Sequence, residues 1–259
     1  MRFALIGDIV GREGIRLVVK LVDVLKNEYQ LDLLLANAEN AYNGSGLTPG
    51  QYRTLVEAGI DAITLGDHAY KKREIYSVLE SEPNIVRPAN FPVTAPGRGW
   101  MRLPLPNGQV LTVISLLGRV FMRPVDCPFA TVDRILEELP EPGGPVLVEF
   151  HAEATSDMEA MGHYLDGRVS AVLGTHTHVP TADERVLPGG TAFQCDVGMT
   201  GPHSGIIGRN AERVLKTLTT FQPTAFNVAE GDLKLHATLV EVDDQGRATA
   251  IERIRVKEA

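Results

Sequence analysis

Three times in its first 82 residues the chain repeats one move: a short apolar run stops at a polar residue, and an amphipathic stretch follows. "RFALIGD" ends at Asp8, "LDLLLANAEN" at Glu39-Asn40 and "IDAITLGDH" at Asp67-His68. Apolar runs of this length, bounded by glycine and polar residues, predict buried strands. Between them, Ile15, Val18, Val19, Val22 and Leu25 recur at helical spacing. Residues 46–59 predict a second helix, with Thr48 as N-cap, Pro49 in the first turn and Gly59 as the stop. "KREIYSVLES" predicts a third. A β-α-β-α-β-α alternation commits a chain to a parallel sheet covered by helices, with ligands outside the carboxyl ends of the strands.

The pattern then breaks. Residues 83–108 carry Pro83, Pro88, Pro92, Pro96, Pro104 and Pro106. Proline opposes helix interiors and central strands, so this stretch reads as a structured loop. "GQVLTVISLLG" resumes as a strand, "CPFATVDRILEEL" as a helix, and "PEPGGP" at 140–145 as a turn. "GPVLVEFHAEATS" predicts a strand ending at His151, "DMEAMGHYLDG" a helix, and "VSAVLGTHTHVP" a strand ending at His176 and His178. At i, i+2 in a strand, those two imidazoles would share one face. "GTAFQCDVG" reads as one more strand, and a hairpin turning at Asp-Gln-Gly closes the chain.

Composition narrows the function classes. A net charge of −8 over 259 residues opposes binding to duplex nucleic acid, which needs a basic surface. Cys127 and Cys195 are too few and too far apart for a disulfide framework, and fit free thiols in a reducing cytoplasm. The apolar run at the N-terminus is short for a signal peptide, and no run approaches the ~18 apolar residues of a membrane span. The expectation is one cytoplasmic domain over residues 1–259, off the membrane, with homo-oligomerisation left open.

Asp8, Glu39, Asn40, Asp67, His68, His151, His176 and His178 therefore gather at the ends of five strands. Singly, each has an ordinary structural explanation. Together, buried carboxylates and imidazoles need compensating positive charge. Their donors suit zinc, iron or manganese. The order of acid, acid-Asn, Gly-x-His, His and a late His-x-His resembles the calcineurin-like metallophosphoesterase superfamily. Its first motif is usually Asp-x-His, and Val10 stands where that histidine would. Its second is usually Gly-Asp, and here it is Glu39-Asn40. Both departures, with "GDIVGREG", "NAENA", "TLGDH", "GRVFM", "FHAEATS", "GTHTHVPTADE" and "DVGMTGPHSGIIG", resemble the YmdB-type bacterial metallophosphoesterases over nearly the whole chain.

That resemblance implies an α/β fold, a four-layer α-β-β-α sandwich, and a binuclear metal centre. It points to iron first, with manganese or zinc as alternatives, and to hydrolysis of small phosphodiesters, 2′,3′-cyclic nucleotides above all. Glu39 would bridge two ions, with Asp8, Asn40 and His178 on one and Asp67, His151 and His176 on the other. His68 would be the general acid, and a metal-bridging hydroxide the nucleophile. The alternatives are a phosphomonoesterase on the same scaffold and a metal-binding regulator with little catalysis. One position departs: the family has Asn where this chain has Asp67. Two divalent ions less three carboxylates and a hydroxide leave about zero net charge, against about +1 with Asn, a weaker Lewis acid.

Among the remaining candidates, Asn90 and Arg119 lie in segments that match the family, and Arg119 could meet a phosphate or form an ion pair. Glu153, Thr155 and Ser156 could support the ligands, and Ser156 could equally cap a helix. His163 and His236 read as structural or exposed, and His203 as a surface loop residue or part of the pocket lining.

Overall fold

The computed structural model describes residues 1–105, 108–140 and 144–258. The chain runs through β1 (Arg2–Ile6), β2 (Asp8–Ile9), α1 (Gly11–Glu28), β3 (Leu33–Asn37), α2 (Pro49–Glu57) and β4 (Ala62–Thr64). A 3-10 turn (Arg73–Ile75), α3 (Tyr76–Ser81), β5 (Ile85–Val86), β6 (Trp100–Pro104), β7 (Val110–Leu117) and α4 (Pro128–Glu138) follow. Then come β8 (Val146–His151), α5 (Thr155–Leu165), β9 (Ala171–Thr175), β10 (Arg185–Val186), β11 (Ala192–Gln194) and β12 (Met199–Pro202). The last elements are α6 (Ala211–Thr220), β13 (Leu233–Val242) and β14 (Ala248–Lys257).

Two sheets result. One has the order β2-β12-β13-β1-β3-β4-β5, with β14 on β13; the other is β10-β11-β9-β8-β7-β6. β1, β3, β4 and β5 run parallel in the first, and β7, β8, β9 and β11 in the second. Period-2 alternation stacks the layers. Phe3, Leu5, Leu33 and Leu35 of the first sheet meet Leu111, Val113, Leu147 and Leu173 of the second. Ala4, Ile6, Leu34 and Ala36 turn the other way, onto Leu17, Val18 and Val22 of α1 and Leu55 of α2. Ile114, Leu116, Val148 and Phe150 face Val132 and Ile135 of α4 and Met158 and Met161 of α5. The fold is thus a four-layer α-β-β-α sandwich. Each large apolar side chain buried between layers is worth roughly 1.5–3 kcal/mol, and a one-residue slip in a strand would turn its set to the wrong layer.

Thr48 caps α2 reciprocally with Gln51, with Pro49 in the first turn, as its sequence predicts. Several expectations need correction. In α1, Val19 is 43% exposed and Leu17 takes its place in the core. The third helix opens as a 3-10 turn before α3. The proline-rich stretch contains β5 and β6, each an edge strand, where proline is tolerated. The turn at 140–145 falls partly on residues 141–143, outside the described ones. Ser156 does not cap α5, whose N-cap is Ala154. β9 ends at Thr175, one residue short of His176. α6 lies outside the expected elements: its ten residues bury none, so its pattern has no core to answer to.

Candidate metal centre

The polar residues gathered in the sequence come from five strands, but the strands belong to two sheets. β1 with β2, β3 and β4 deliver Asp8, Glu39-Asn40 and Asp67-His68 from the first; β8 and β9 deliver His151 and the 176–178 loop from the second. The sandwich opens at this shared strand-end edge, and all eight side chains meet there.

Two glycines make room. A Cβ on Gly66 would lie 2.3 Å from the His151 ring, and one on Gly174 would lie 1.6 Å from the Cys195 carbonyl oxygen. Larger residues at either position would push aside the strands that carry His151 and His176.

His151 Nε2 lies 3.1 Å from Glu39 Oε1, 3.2 Å from Asp67 Oδ1 and 3.0 Å from His176 Nδ1. One donor atom from each of Glu39, Asp67, His151 and His176 lies within 4.8 Å of the others. Beside this group, Asn40 Nδ2 faces Asp8 Oδ1 at 3.1 Å, Glu39 Oε1 at 3.4 Å and His178 Nε2 at 3.2 Å. Glu39 therefore touches both groups. Asp8, Glu39 and His151 have no exposed surface.

In each of the three imidazoles His151, His176 and His178, the nitrogen turned away from the centre is taken by an oxygen. His151 Nδ1 faces Thr175 Oγ1 at 2.8 Å, His176 Nε2 faces Glu153 Oε2 at 3.1 Å, and His178 Nδ1 faces the Ile207 carbonyl at 3.0 Å. Where the outward nitrogen donates its hydrogen to that oxygen, the inward one is left as a lone pair for a cation.

The electrostatics agree. Burial opposes charge on His151, yet Glu39 and Asp67 hold its pKa well above the ordinary imidazole value. His176 is raised by Asp67 against the same opposition. Burial likewise opposes the Asp67 carboxylate, but bonds from His151 and His176 hold it far below the usual range. The carboxylates draw positive charge onto the imidazoles, and bound cations would meet the same demand. This donor set of carboxylate oxygen and imidazole nitrogen fits zinc, iron or manganese.

His68 stands differently. Its backbone N–H donates to Glu39 Oε2 at 2.8 Å, its Nδ1 lies 2.8 Å from Asn40 Oδ1, and its side chain is 25% exposed. Nε2 is left at the open rim, 3.7 Å from Asp67 Oδ2.

His176 and His178 do not share a strand face. Both lie beyond β9 in left-handed backbone, at φ 105° and 68°. That costs of order 1–3 kcal/mol per residue, so the loop must be held. His176 N–H donates to Asp8 Oδ2 at 3.1 Å, and Thr177 donates through N–H and Oγ1 to Asp196 Oδ2 at 2.9 and 2.8 Å. Burial, then Asp8, pushes the Asp196 carboxyl up to about 7.

Sequence reasoning missed Asp196, Thr175, Asn37 and Glu149. The signal was there for Glu149, a carboxyl inside the apolar run "VLVEFH". Glu153 reaches His176, the contact expected of a supporting residue. Asn90 is structural, bonding Leu117 and the Asp126 carbonyl, while the Arg119 side chain is exposed and its backbone N–H donates to Asp157 Oδ2. His203 and His236 pair with each other at 4.9 Å between ring centres, and His163 pairs with Glu159 on α5.

Known proteins share this architecture. The profile of the YmdB-like protein family matches residues 4–254. A 2′,3′-cyclic-nucleotide 2′-phosphodiesterase of Bacillus subtilis (strain 168) is 46% identical over 259 residues, covering 100% of this chain and 98% of its own. A crystal structure of a hypothetical protein from Thermus thermophilus superposes with a TM-score of 0.94 at 46% identity, over 100% of both chains. One of a novel phosphatase from Mycoplasma pneumoniae gives 0.92 at 31%, over 99% of this chain and 93% of that one. A 5′-nucleotidase precursor, also from Thermus thermophilus, is 13% identical; the match covers 99% of this chain and 54% of its own with a TM-score of 0.60, and shows a shared fold. With the profile spanning nearly the whole sequence and the fold matching end to end, this chain belongs to the YmdB-like family.

Proposed function

We propose that this phosphoric ester hydrolase is a binuclear-metal phosphodiesterase acting on small phosphodiesters, with 2′,3′-cyclic nucleotides its foremost substrates. The observation that carries the reading is the common orientation of His151, His176 and His178, each tied outward to an oxygen and open inward beside Glu39, Asp67, Asp8 or Asn40. The name of the Bacillus subtilis relative supports the substrate class.

Asp67, His151 and His176 would hold one ion, Asp8, Asn40 and His178 the other, and Glu39 both; Asn40 would do so through Oδ1, so its amide, whose Nδ2 faces Asp8 and His178, would turn over to bind. Iron is the first candidate, with manganese or zinc as alternatives. The ions supply positive charge for the phosphoryl oxygens and acidity for a coordinated water. The protein does the rest. Asn40 orients the His68 ring through Nδ1, by Oδ1 as it stands or by Nδ2 once the amide has turned, which leaves Nε2 at the rim, where a leaving ribose oxygen would arrive. His68 protonates that oxygen as its bond to phosphorus breaks. Water's oxygen ends on phosphorus, and the cyclic diester becomes a monophosphate. The working unit is one domain over residues 1–259, in the cytoplasm. No helix among the described residues is long and apolar enough to cross a membrane.

The test is hydrolysis of 2′,3′-cyclic AMP by chelator-stripped protein reloaded separately with Mn²⁺ and Fe²⁺, with p-nitrophenyl phosphate as the monoester control. Turnover of the cyclic diester that requires metal is expected. Metal-loaded, folded protein that cleaves only the monoester would replace this reading with the phosphomonoesterase. Cleavage of neither would leave the regulatory one.

A further inference from the structure

The three outward acceptors differ in kind. A carboxylate holds His176 and a backbone carbonyl holds His178. An ionised carboxylate and a carbonyl only accept, so each fixes its imidazole's tautomer unaided. The acceptor for His151 is the Thr175 hydroxyl, which can donate as readily as it accepts. Alone, it would leave the tautomer open. If the hydroxyl donated to Nδ1, the proton would move to Nε2, the nitrogen facing Glu39 and Asp67.

A buried chain of hydrogen bonds removes that freedom. The Glu39 N–H is a donor and lies 3.1 Å from Asn37 Oδ1, so Asn37 presents its amide Nδ2 to Glu149 Oε1 at 2.6 Å. The same Glu149 oxygen accepts from Thr175 Oγ1 at 2.8 Å. With its one proton on Glu149, the hydroxyl offers His151 a lone pair, and Nδ1 must carry hydrogen. Asn37, Glu149, Thr175 and His151 all have no exposed surface. The tautomer is the same whether Glu149 is ionised or carries a proton on Oε2, because Oε1 accepts in both forms.

We propose that Glu149 is a positioning residue of the centre: through Thr175 it fixes the His151 tautomer that leaves Nε2 free for a cation, and through Asn37 it ties that choice to the backbone of Glu39. The inference rests on the metal-binding reading above. It explains why a carboxyl lies inside an otherwise apolar strand, at a cost that burial would normally forbid.

The test separates shape from hydrogen bonding, using the full-length protein and Co²⁺ as probe. Affinity is read by competition with a chelator, coordination by the visible Co²⁺ spectrum, and folding by Tm. Thr175→Val keeps the shape and removes the hydroxyl; Thr175→Ser keeps the hydroxyl and removes a methyl. Glu149→Met removes the acceptor. Glu149→Gln keeps it, because Asn37 Nδ2 holds the Gln oxygen in place. Thr175→Val and Glu149→Met are expected to weaken one of the two Co²⁺ sites by roughly 10–100-fold and change its spectrum. Thr175→Ser and Glu149→Gln should stay within a few-fold of wild type. Unchanged affinity in folded Thr175→Val or Glu149→Met would overturn the proposal. So would equal losses in Thr175→Val and Thr175→Ser, which would mark Thr175 as packing alone. Wild-type protein that binds no Co²⁺ would instead bring down the metal reading itself.

Discussion

Glu39 and Asp67 stand two and three residues beyond the ends of β3 and β4, and Asp8 opens β2; His176 and His178 stand on a loop with both residues at positive φ. The first sheet thus presents its carboxylates on or just beyond strands packed under α1 and α2. The second sheet delivers His151 in the same way, from the last residue of β8, but must hold its other two imidazoles by hydrogen bonds to Asp8, Asp196, Glu153 and Ile207. The carboxylate half is positioned by backbone packing. The imidazole half is positioned largely by polar contacts that reach across from other elements. Damage should therefore spread differently from the two sides.

The largest effect is expected at Glu39, which touches both ligand groups. Glu39→Gln keeps the shape but removes the charge shared by both groups, so both ions should be lost on gel filtration and activity with them. His178→Ala should release one ion at most. Metal counting by mass spectrometry on the two variants decides it, and equal losses would mean that the two ions do not bind separately.

His68→Ala comes next. It should keep both ions and lower kcat by roughly 10²–10⁴-fold, the usual contribution of a general acid. Loss of metal in that variant would make His68 a ligand of the carboxylate half instead.

Asp67→Asn should act more mildly, raising turnover or shifting preference among Mn²⁺, Fe²⁺ and Zn²⁺ several-fold, since it restores about one positive charge to the centre. Identical rates and preferences in both proteins would remove charge from the account of this position.

The smallest effect concerns the support under the imidazole loop. Asp196 titrates at about 7 in the folded protein, against about 3.9 for an unfolded aspartate. Between those values the folded state keeps a proton that the unfolded chain has lost. The stabilisation is complete below about 4 and disappears as pH rises through about 7, at about 1.4 kcal/mol per pKa unit. In metal-free protein, the stability advantage of wild type over Asp196→Asn should shrink across that window in urea titrations. A constant difference would show that Asp196 does not titrate there.

Much of this is legible in the sequence, because it depends on local chemistry. The β-α-β-α-β-α pattern with Thr48, Pro49 and Gly59 in their places is written in period and capping, which act within a few residues. The gathering of the eight polar residues is legible too: a buried strand that stops at Asp, Glu or His is ordinary singly, but five strands doing so point to one shared edge. The resemblance to a known family carries the assignment of those residues to two ions.

What escapes the sequence depends on contacts between distant residues. Periodicity cannot tell that β1, β3 and β4 lie in one sheet and β8 and β9 in another, because each strand is apolar on both faces whichever partner it meets. It puts His176 and His178 in a strand, where i, i+2 spacing would align them. The actual loop backbone is held at His176 by Asp8 and at Thr177 by Asp196, 168 and 19 residues away along the chain. Glu149 is visible as a charge in an apolar run, but its partners Asn37 and Thr175 come from different sheets. Local propensity is settled by neighbours along the chain. Which nitrogen of His151 carries a proton is settled by a hydrogen-bond chain that exists only once both sheets have closed over it.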